Sequence, residues 1–275
     1  MIKIGYKINS ITGRQIKIGG PTDKRLNGKR SSKRSQVKRS IKRSKCKTDN
    51  FKQVFKRQKT MRILSWNIFA GINDIEWRTK NIADRILKED ADIVCLQEVT
   101  YYTMLIIKAE LSGIYETAYA TVYDNNTSAR VYGEMIFLKK GVELLHKFFI
   151  SLPYSNEGKT ATFVDVRIGR KTFRVSTAHI DKDRLDQLDT ILENLTSPSP
   201  NWIWVGDANI ESSQHFHPAL DKPTWFENRF WAGKRTGRYD KIITNQEIDC
   251  VKEIGNEKIE DKWLSDHNGF VISIK

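Results

Sequence analysis

From Met61 onward the chain alternates short apolar runs with polar breaks, and the spacing within each run separates strand from helix. Arg62 to Ile68 and Ile93 to Gln97 are apolar runs too short for a buried helix, so each predicts an interior strand. Between them Ile82, Ala83, Ile86 and Leu87 recur at helical spacing, and Asn73 with Glu76 three residues on predicts a capping-box start for a helix reaching about Lys88. A second helix is expected over Tyr101 to Leu111. Tyr115 to Tyr123, Glu134 to Lys139, Val142 to Phe149, Ala161 to Ile168 and Thr172 to His179 then read as successive strands with turn residues between them. Leu185, Leu188, Ile191, Leu192 and Leu195 share one face of a third helix, stopped by Ser197-Pro198-Ser199-Pro200. Trp202 to Val205, Lys241 to Thr244, Asp249 to Ile254 and Phe270 to Ile274 complete the strand set. Many strands, few helices and no internal repeat predict an α/β fold, a four-layer α/β/β/α sandwich with two packed sheets inside and helices outside.

Before Met61 the texture differs. From Lys24 to Lys59 apolar periodicity is almost absent and Lys-Arg-Ser recurs at Lys29, Lys33, Lys38 and Lys42. Such a segment buries too little apolar surface to offset its ordering entropy, which predicts a largely disordered basic arm over residues 1–60 ahead of a folded domain over 61–275. Residues 1–60 hold 20 Lys or Arg against 2 Asp or Glu, whereas residues 61–275 hold 27 against 31. The formal charge of +14 therefore belongs to the arm, on a mildly acidic body, and a uniformly basic nucleic-acid binder is excluded. The arm suits a polyanion, through phosphate contacts and counterion release, or the nuclear import machinery; a solvated tail without a partner is the plain alternative. The stretch from Asn9 to Pro21 resembles a short motif in proteins of large nucleocytoplasmic DNA viruses, a hint of viral origin that carries no chemistry.

With 275 residues, 39% of them hydrophobic, the chain can bury a sizeable core. It contains no run of about 18 apolar residues and no apolar leader, so no transmembrane segment is expected. Cys46, Cys95 and Cys250 are scattered, fitting neither a disulfide framework nor a CxxC metal site. These features predict a soluble, unsecreted, intracellular monomer with no zinc centre, the nucleus or a viral replication site being compatible locations.

Candidate chemistry sits at strand ends. Asn67 ends "ILSWN", Glu98 ends "DIVCLQE", His179 ends "FRVSTAH", Asp207 and Asn209 follow "WIWVG", Asp240 opens "DKII", and Asp266-His267 precede the last strand. Singly, each has an ordinary reading as a turn, cap or solvated residue; their joint order is what matters. "SWNI", "LQEV", "STAHI", "GDANI", "RYDKI" and "LSDHNG" in that order resemble the endonuclease/exonuclease/phosphatase superfamily, metal-dependent phosphoesterases of DNase I-like fold, over about Met61 to Lys275.

The resemblance implies Mg²⁺ or Mn²⁺, as hard oxygen donors favour. It implies Glu98 as principal metal ligand, with Asn67 beside it and Asp266 in or near the metal shell. It further implies Asp207 as the group that positions or deprotonates the attacking water, Asn209 as its support at the phosphate, His179 and His267 as donors to the phosphate, and Asp240 as the partner that keeps His267 protonated. His215 and His217 have the spacing of a metal pair but no third ligand nearby, and are read as structural.

Within the superfamily, "CLQEVTYY", "MIFLKKGVEL", "STAHI" followed by a helix with Arg184 and Gln187, and "TW" before "RYDKI" look most like the 5′-tyrosyl-DNA phosphodiesterase (type 2) branch. Trp225 and Tyr239 then match the aromatic positions lining that branch's DNA-end groove. Thr177 to Ile180 replaces the tyrosine motif usual in AP endonucleases. "GDANIES" departs from the branch's "GDTN" with following Arg-Asp, and the segment from Asn209 to Trp225 is shorter. The expected function is Mg²⁺-dependent cleavage of a phosphodiester at DNA ends, releasing a 5′-linked tyrosine. The alternatives are an AP endonuclease, deadenylase or phosphoinositide phosphatase of the same superfamily, or a non-catalytic nucleic-acid scaffold, which the full set of carboxylates and imidazoles disfavours.

Overall fold

The computed structural model describes residues 6–8, 15–17, 60–122, 132–155, 157–196, 199–212 and 216–275. The chain divides into two compact units, Met1–Lys45 and Cys46–Lys275. In the first, β1 (Tyr6–Ile8) pairs antiparallel with β2 (Gln15–Lys17). The Lys-Arg-Ser repeats, the expected disorder of the arm and the rest of the Asn9–Pro21 motif lie outside the described residues.

The second unit follows the predicted order closely. It runs β3 (Met61–Asn67), α1 (Ile75–Glu89), β4 (Ile93–Thr100), α2 (Tyr101–Leu111), β5 (Tyr115–Ala120), β6 (Tyr132–Lys139), β7 (Glu143–Ser151), β8 (Thr160–Ile168), β9 (Lys171–Ala178) and α3 (Leu185–Thr196). It continues with β10 (Trp202–Asp207), β11 (Trp225–Phe226), β12 (Thr236–Gly237), β13 (Asp240–Thr244), β14 (Ile248–Ile254) and β15 (Gly269–Ile274). One sheet has six strands in the order β14-β15-β3-β4-β6-β5, the other five in the order β13-β10-β9-β8-β7, and β11-β12 form a separate ribbon. The ribbon was not foreseen: strands of two residues leave no periodic signal.

Alternation along the strands sorts side chains into layers. Ile63, Ile93, Cys95, Ile136 and Ile272 of the six-stranded sheet meet Val164, Val175, Ile203, Val205 and Ile242 of the five-stranded sheet in a core between the sheets. Their neighbours one residue along, Leu64, Trp66, Val94, Leu96 and Phe137, face outward onto Ile82, Ala83 and Ile86 of α1 and Ile107 and Leu111 of α2. Phe163, Ala178 and Trp204 pack on Leu188, Ile191 and Leu195 of α3. Each fully buried aliphatic side chain contributes about 1.5–3 kcal/mol of transfer free energy. The result is the expected four-layer α/β/β/α sandwich.

Two local expectations fail. Asn73 and Glu76 form no capping box: the N-cap of α1 is Asp74, at φ 49° and without a side-chain cap bond. The Asn73 carbonyl accepts from Arg78 Nε at 2.8 Å, and Glu76 is drawn to Lys80 at 2.7 Å instead. The box forms at α2, where Thr100 and Thr103 cap each other reciprocally. Cys95 is free and buried, Cys250 is disulfide-bonded, which its spacing did not suggest, and Cys46 lies outside the described residues. Among the described residues, no helix is long and apolar enough to cross a membrane.

Candidate active site

Strand ends deliver the candidate side chains to one cleft of about 500 Å³. β4 carries Glu98 in a β-bulge, where its register with β6 shifts between Leu96 and Val99 and Glu98 takes φ 55°. A bulge re-aims a side chain out of the ladder, and a left-handed non-glycine residue costs ~1–3 kcal/mol. The carboxylate is held there by Ala70 N–H, donating to Oε2 at 2.9 Å, and by Asn67 Nδ2, donating to Oε1 at 2.9 Å.

Asn67, fully buried at the end of β3, links the two sheets. Its Nδ2 also donates to Asp207 Oδ2 at 3.0 Å and lies 3.4 Å from His267 Nε2, while Oδ1 accepts Phe69 N–H at 3.0 Å. Asn67 thus braces the carboxylates of Glu98 and Asp207.

Asp207 ends β10, 1% exposed. Gly206 before it permits a close approach to β9, because a Cβ there would meet the Ala178 carbonyl oxygen at 2.4 Å. Ile180 N–H donates to the Asp207 carbonyl at 2.9 Å, which sets His179 alongside. His179 Nε2 lies 3.6 Å from Asp207 Oδ2 and its Nδ1 3.8 Å from Glu98 Oε1, with the ring stacked on Tyr132 at 5.7 Å. Asn209 supports Asp207 through its main chain, N–H to Oδ1 at 2.9 Å; its side-chain amide donates to the Ile180 carbonyl at 3.0 Å.

Asp240, at the start of β13, lies 2.7 Å through Oδ2 from His267 Nδ1, and both residues are buried. Burial alone would lower the His267 pKa, but Asp240, Asp207 and Asp266 outweigh it and hold the imidazole well above its ordinary 6.5. For Glu98, burial and then the Asp266 charge raise the pKa. Asp266 Oδ2 accepts Trp225 Nε1–H at 2.9 Å, and the Trp225 and Tyr239 rings stand 5.7 Å apart, tilted by 38°.

Eight of the ten residues singled out in the sequence line the cleft; Asn67 and Asp240 are buried and reach its lining groups by hydrogen bonds. Lys182, Arg235 and Thr236 line it too and were missed. The first is one polar residue in a charged loop, and the other two belong to the ribbon that left no pattern. His217 sits apart, its N–H bonded to the Ile242 carbonyl at 2.9 Å, and His215 lies outside the described residues.

The donor set fits a divalent ion. Glu98, His179 and Asp207 offer ligand atoms within 4.8 Å of one another. Glu98 and Asp266 repel each other, a cost that a cation between them would remove. Glu98 belongs to both this trio and the expected set, and Asp266 lines the same cleft.

Residues 64–267 match the Endonuclease/Exonuclease/phosphatase family. The chain belongs to that family. The members of the endonuclease/exonuclease/phosphatase family are metal-dependent hydrolases of phosphodiester or phosphate ester bonds, and this chain is an enzyme of that kind. No curated protein sequence matches it significantly. Among solved structures, truncated TDP2 from Caenorhabditis elegans is 19% identical with a TM-score of 0.67, covering 78% of this chain and 97% of that one. TDP2 from D. rerio, complexed with single strand DNA product, is 18% identical with a TM-score of 0.69, covering 79% and 99%. A mannosyl-6-phosphatase from Bacteroides thetaiotaomicron is 15% identical with a TM-score of 0.63, covering 78% and 99%. At these identities the shared feature is the fold.

Proposed function

We propose that the protein is a Mg²⁺-dependent phosphodiesterase acting on nucleic-acid ends, with 5′-tyrosyl-DNA linkages as its substrate. The observation that carries the chemistry is the position of Asn67 Nδ2 between Glu98 Oε1 at 2.9 Å and Asp207 Oδ2 at 3.0 Å, beside a charged His267. Glu98, with Asp266 near it and Asn67 beside it, would hold the ion, whose charge would polarise the phosphoryl oxygens. Asp207, fixed on one oxygen by Asn209 N–H and on the other by Asn67, orients a water and accepts its proton. His267, kept protonated by Asp240, and His179 donate to phosphoryl oxygens as negative charge grows, a preorganised donor pair in a partly dehydrated cleft.

The substrate assignment rests on Trp225 and Tyr239. A tilted aromatic pair at the cleft gives sequence-tolerant stacking to bases of a single-stranded end. The fold likeness to TDP2 structures, one of them with single strand DNA product, supports the same reading. The basic arm would add salt-sensitive contacts to the same polyanion.

The purified protein should be incubated with Mg²⁺ and a labelled oligonucleotide bearing a 5′-phosphotyrosyl end, beside an abasic duplex, a plain single strand, inositol phosphate and mannose 6-phosphate. A 5′-phosphate end released from the first substrate, and lost with EDTA or Asp207→Asn, is expected. Turnover confined to a sugar or inositol phosphate would overturn the substrate; no turnover of any would overturn the catalytic reading.

A further inference from the structure

Two arginines that no sequence pattern marked stand behind the cleft. Arg78, on α1, is 1% exposed. Its Nε donates to the Asn73 carbonyl at 2.8 Å, its Nη1 to the carbonyls of Ile68 and Leu264 at 3.0 Å each, and its Nη2 to those of Phe69 at 3.2 Å and Gly71. Arg229, between β11 and β12, donates through Nη1 to the Ser265 carbonyl at 3.0 Å and through Nη2 to Asn268 Oδ1. Its guanidinium lies against the rings of Phe226 and Trp263 at 4.4 and 4.2 Å.

The pattern of partners is specific. The two arginines hold consecutive carbonyls, Leu264 and Ser265, of the loop that presents Asp266 and His267. The next two carbonyls are held by other elements, Asp266 by Phe226 N–H at 2.8 Å and His267 by Trp66 Nε1 at 3.1 Å. Arg78 grips a second loop as well, residues 68–73, from which Ala70 N–H fixes Glu98. A single guanidinium therefore ties the anchor of Glu98 to the loop of Asp266. Burial lowers both arginines to about 10, so both stay charged at neutral pH, with Asp266 the leading favourable charge for each. Five donors in a rigid plane can fix two loops at once, with a preorganisation that a flexible lysine ammonium lacks.

We propose that Arg78 and Arg229 are positioning residues for a divalent-cation pocket between Glu98 and Asp266, setting the separation of the two carboxylates before the ion arrives. The inference rests on the metal-dependent reading of the site and is independent of the substrate assigned to it.

The test is calorimetric titration of Mn²⁺ into the full chain without substrate, for wild type, Arg78→Lys and Arg229→Lys, each checked for folding by its melting temperature. Lysine keeps the charge and gives up the planar fork. Loss of an outer support weakens metal binding by about 10–100-fold, so the Mn²⁺ Kd should rise at least about tenfold in both variants. The half-activating Mg²⁺ concentration should rise in parallel, with KM for the oligonucleotide unchanged at saturating Mg²⁺. A Kd within about twofold of wild type in the folded variants would overturn the proposal, as would a fall in kcat at saturating metal with unaltered Mn²⁺ affinity. Should Arg78→Lys fail to fold, Arg229→Lys, which gives up fewer bonds, decides alone. Wild type that binds Mn²⁺ tightly yet turns over no substrate would count against the phosphodiesterase reading and leave this one standing.

Discussion

Replacing Asp240 by asparagine keeps the shape of the partner below His267 and removes its charge. The amide oxygen of the new side chain still accepts Nδ1–H, so the ring keeps its place while the imidazolium loses a fully buried counter-charge at 2.7 Å. A charge-assisted hydrogen bond of this kind is worth about 1.5–3 kcal/mol, which corresponds to about 1–2 pH units in the affinity of His267 for its proton. If catalysis needs the charged ring, wild type stays active until pH rises past a raised His267 value, and the alkaline limb of kcat/KM in Asp240→Asn moves down by about 1–2 pH units. Below both limbs the variant should approach wild-type activity.

Stability follows with a sign that can be checked. His267 gains proton affinity on folding, so its contribution is fully present below its unfolded value of 6.5 and is lost as pH rises through the higher folded value. The melting temperatures of wild type and variant, measured in EDTA, should therefore differ most near pH 6 and converge at alkaline pH. An equal loss of activity at every pH, with an unmoved alkaline limb, would refute the assignment and leave Asp240 a packing residue.

Three further outcomes are expected. Because burial and Asp266 raise the Glu98 pKa, its charge burdens the metal-free fold at neutral pH, so Glu98→Gln should raise the melting temperature in EDTA by about 2–4 °C per kcal/mol relieved, while abolishing Mg²⁺ stabilisation and turnover; a lower melting temperature would contradict this. Trp225→Ala should raise KM for a single-stranded end by roughly 5- to 100-fold, the worth of one base stack, whereas Trp225→Phe should keep the stack and raise the half-activating Mg²⁺ through loss of the bond to Asp266. Gly206→Ala should destabilise the protein by about 1–3 kcal/mol and cut kcat by displacing Asp207, measured by chemical denaturation and steady-state kinetics.

The strands were legible because a sheet buried on both faces needs unbroken apolar runs, and "RILSWNI", "DIVCLQ" and "WIWV" are close to that pattern. The site residues were legible because each stands at the end of such a run. What stayed hidden depends on contacts distant in sequence. Arg78 belongs to the buried face of α1 with Ile82 and Ile86, yet an arginine at a helical position reads as solvent-facing until the carbonyls of two loops are known to converge on it. The bulge at Glu98 left no mark, because "LQEV" is as regular in sequence as its neighbours. Asn73 and Glu76 had capping chemistry, and stronger local partners took them. Arg235 and Thr236 reach the cleft on a ribbon too short to show a period.

The bond from Asn67 to Asp207 runs from one sheet to the other, and the one from Asp240 runs from the five-stranded sheet to His267, in the loop that leads into β15 of the six-stranded sheet. The catalytic groups therefore act as a caliper set across the sandwich. Its jaws are the six-stranded and five-stranded sheets, and the core of Ile63, Ile136, Val164 and Val205 is the spacer that holds them apart. Methyl groups far from any phosphate thus fix the gap in which water and phosphate must align. Turnover becomes a ruler for interior packing, able to register a thinned or swollen spacer before the fold itself is lost.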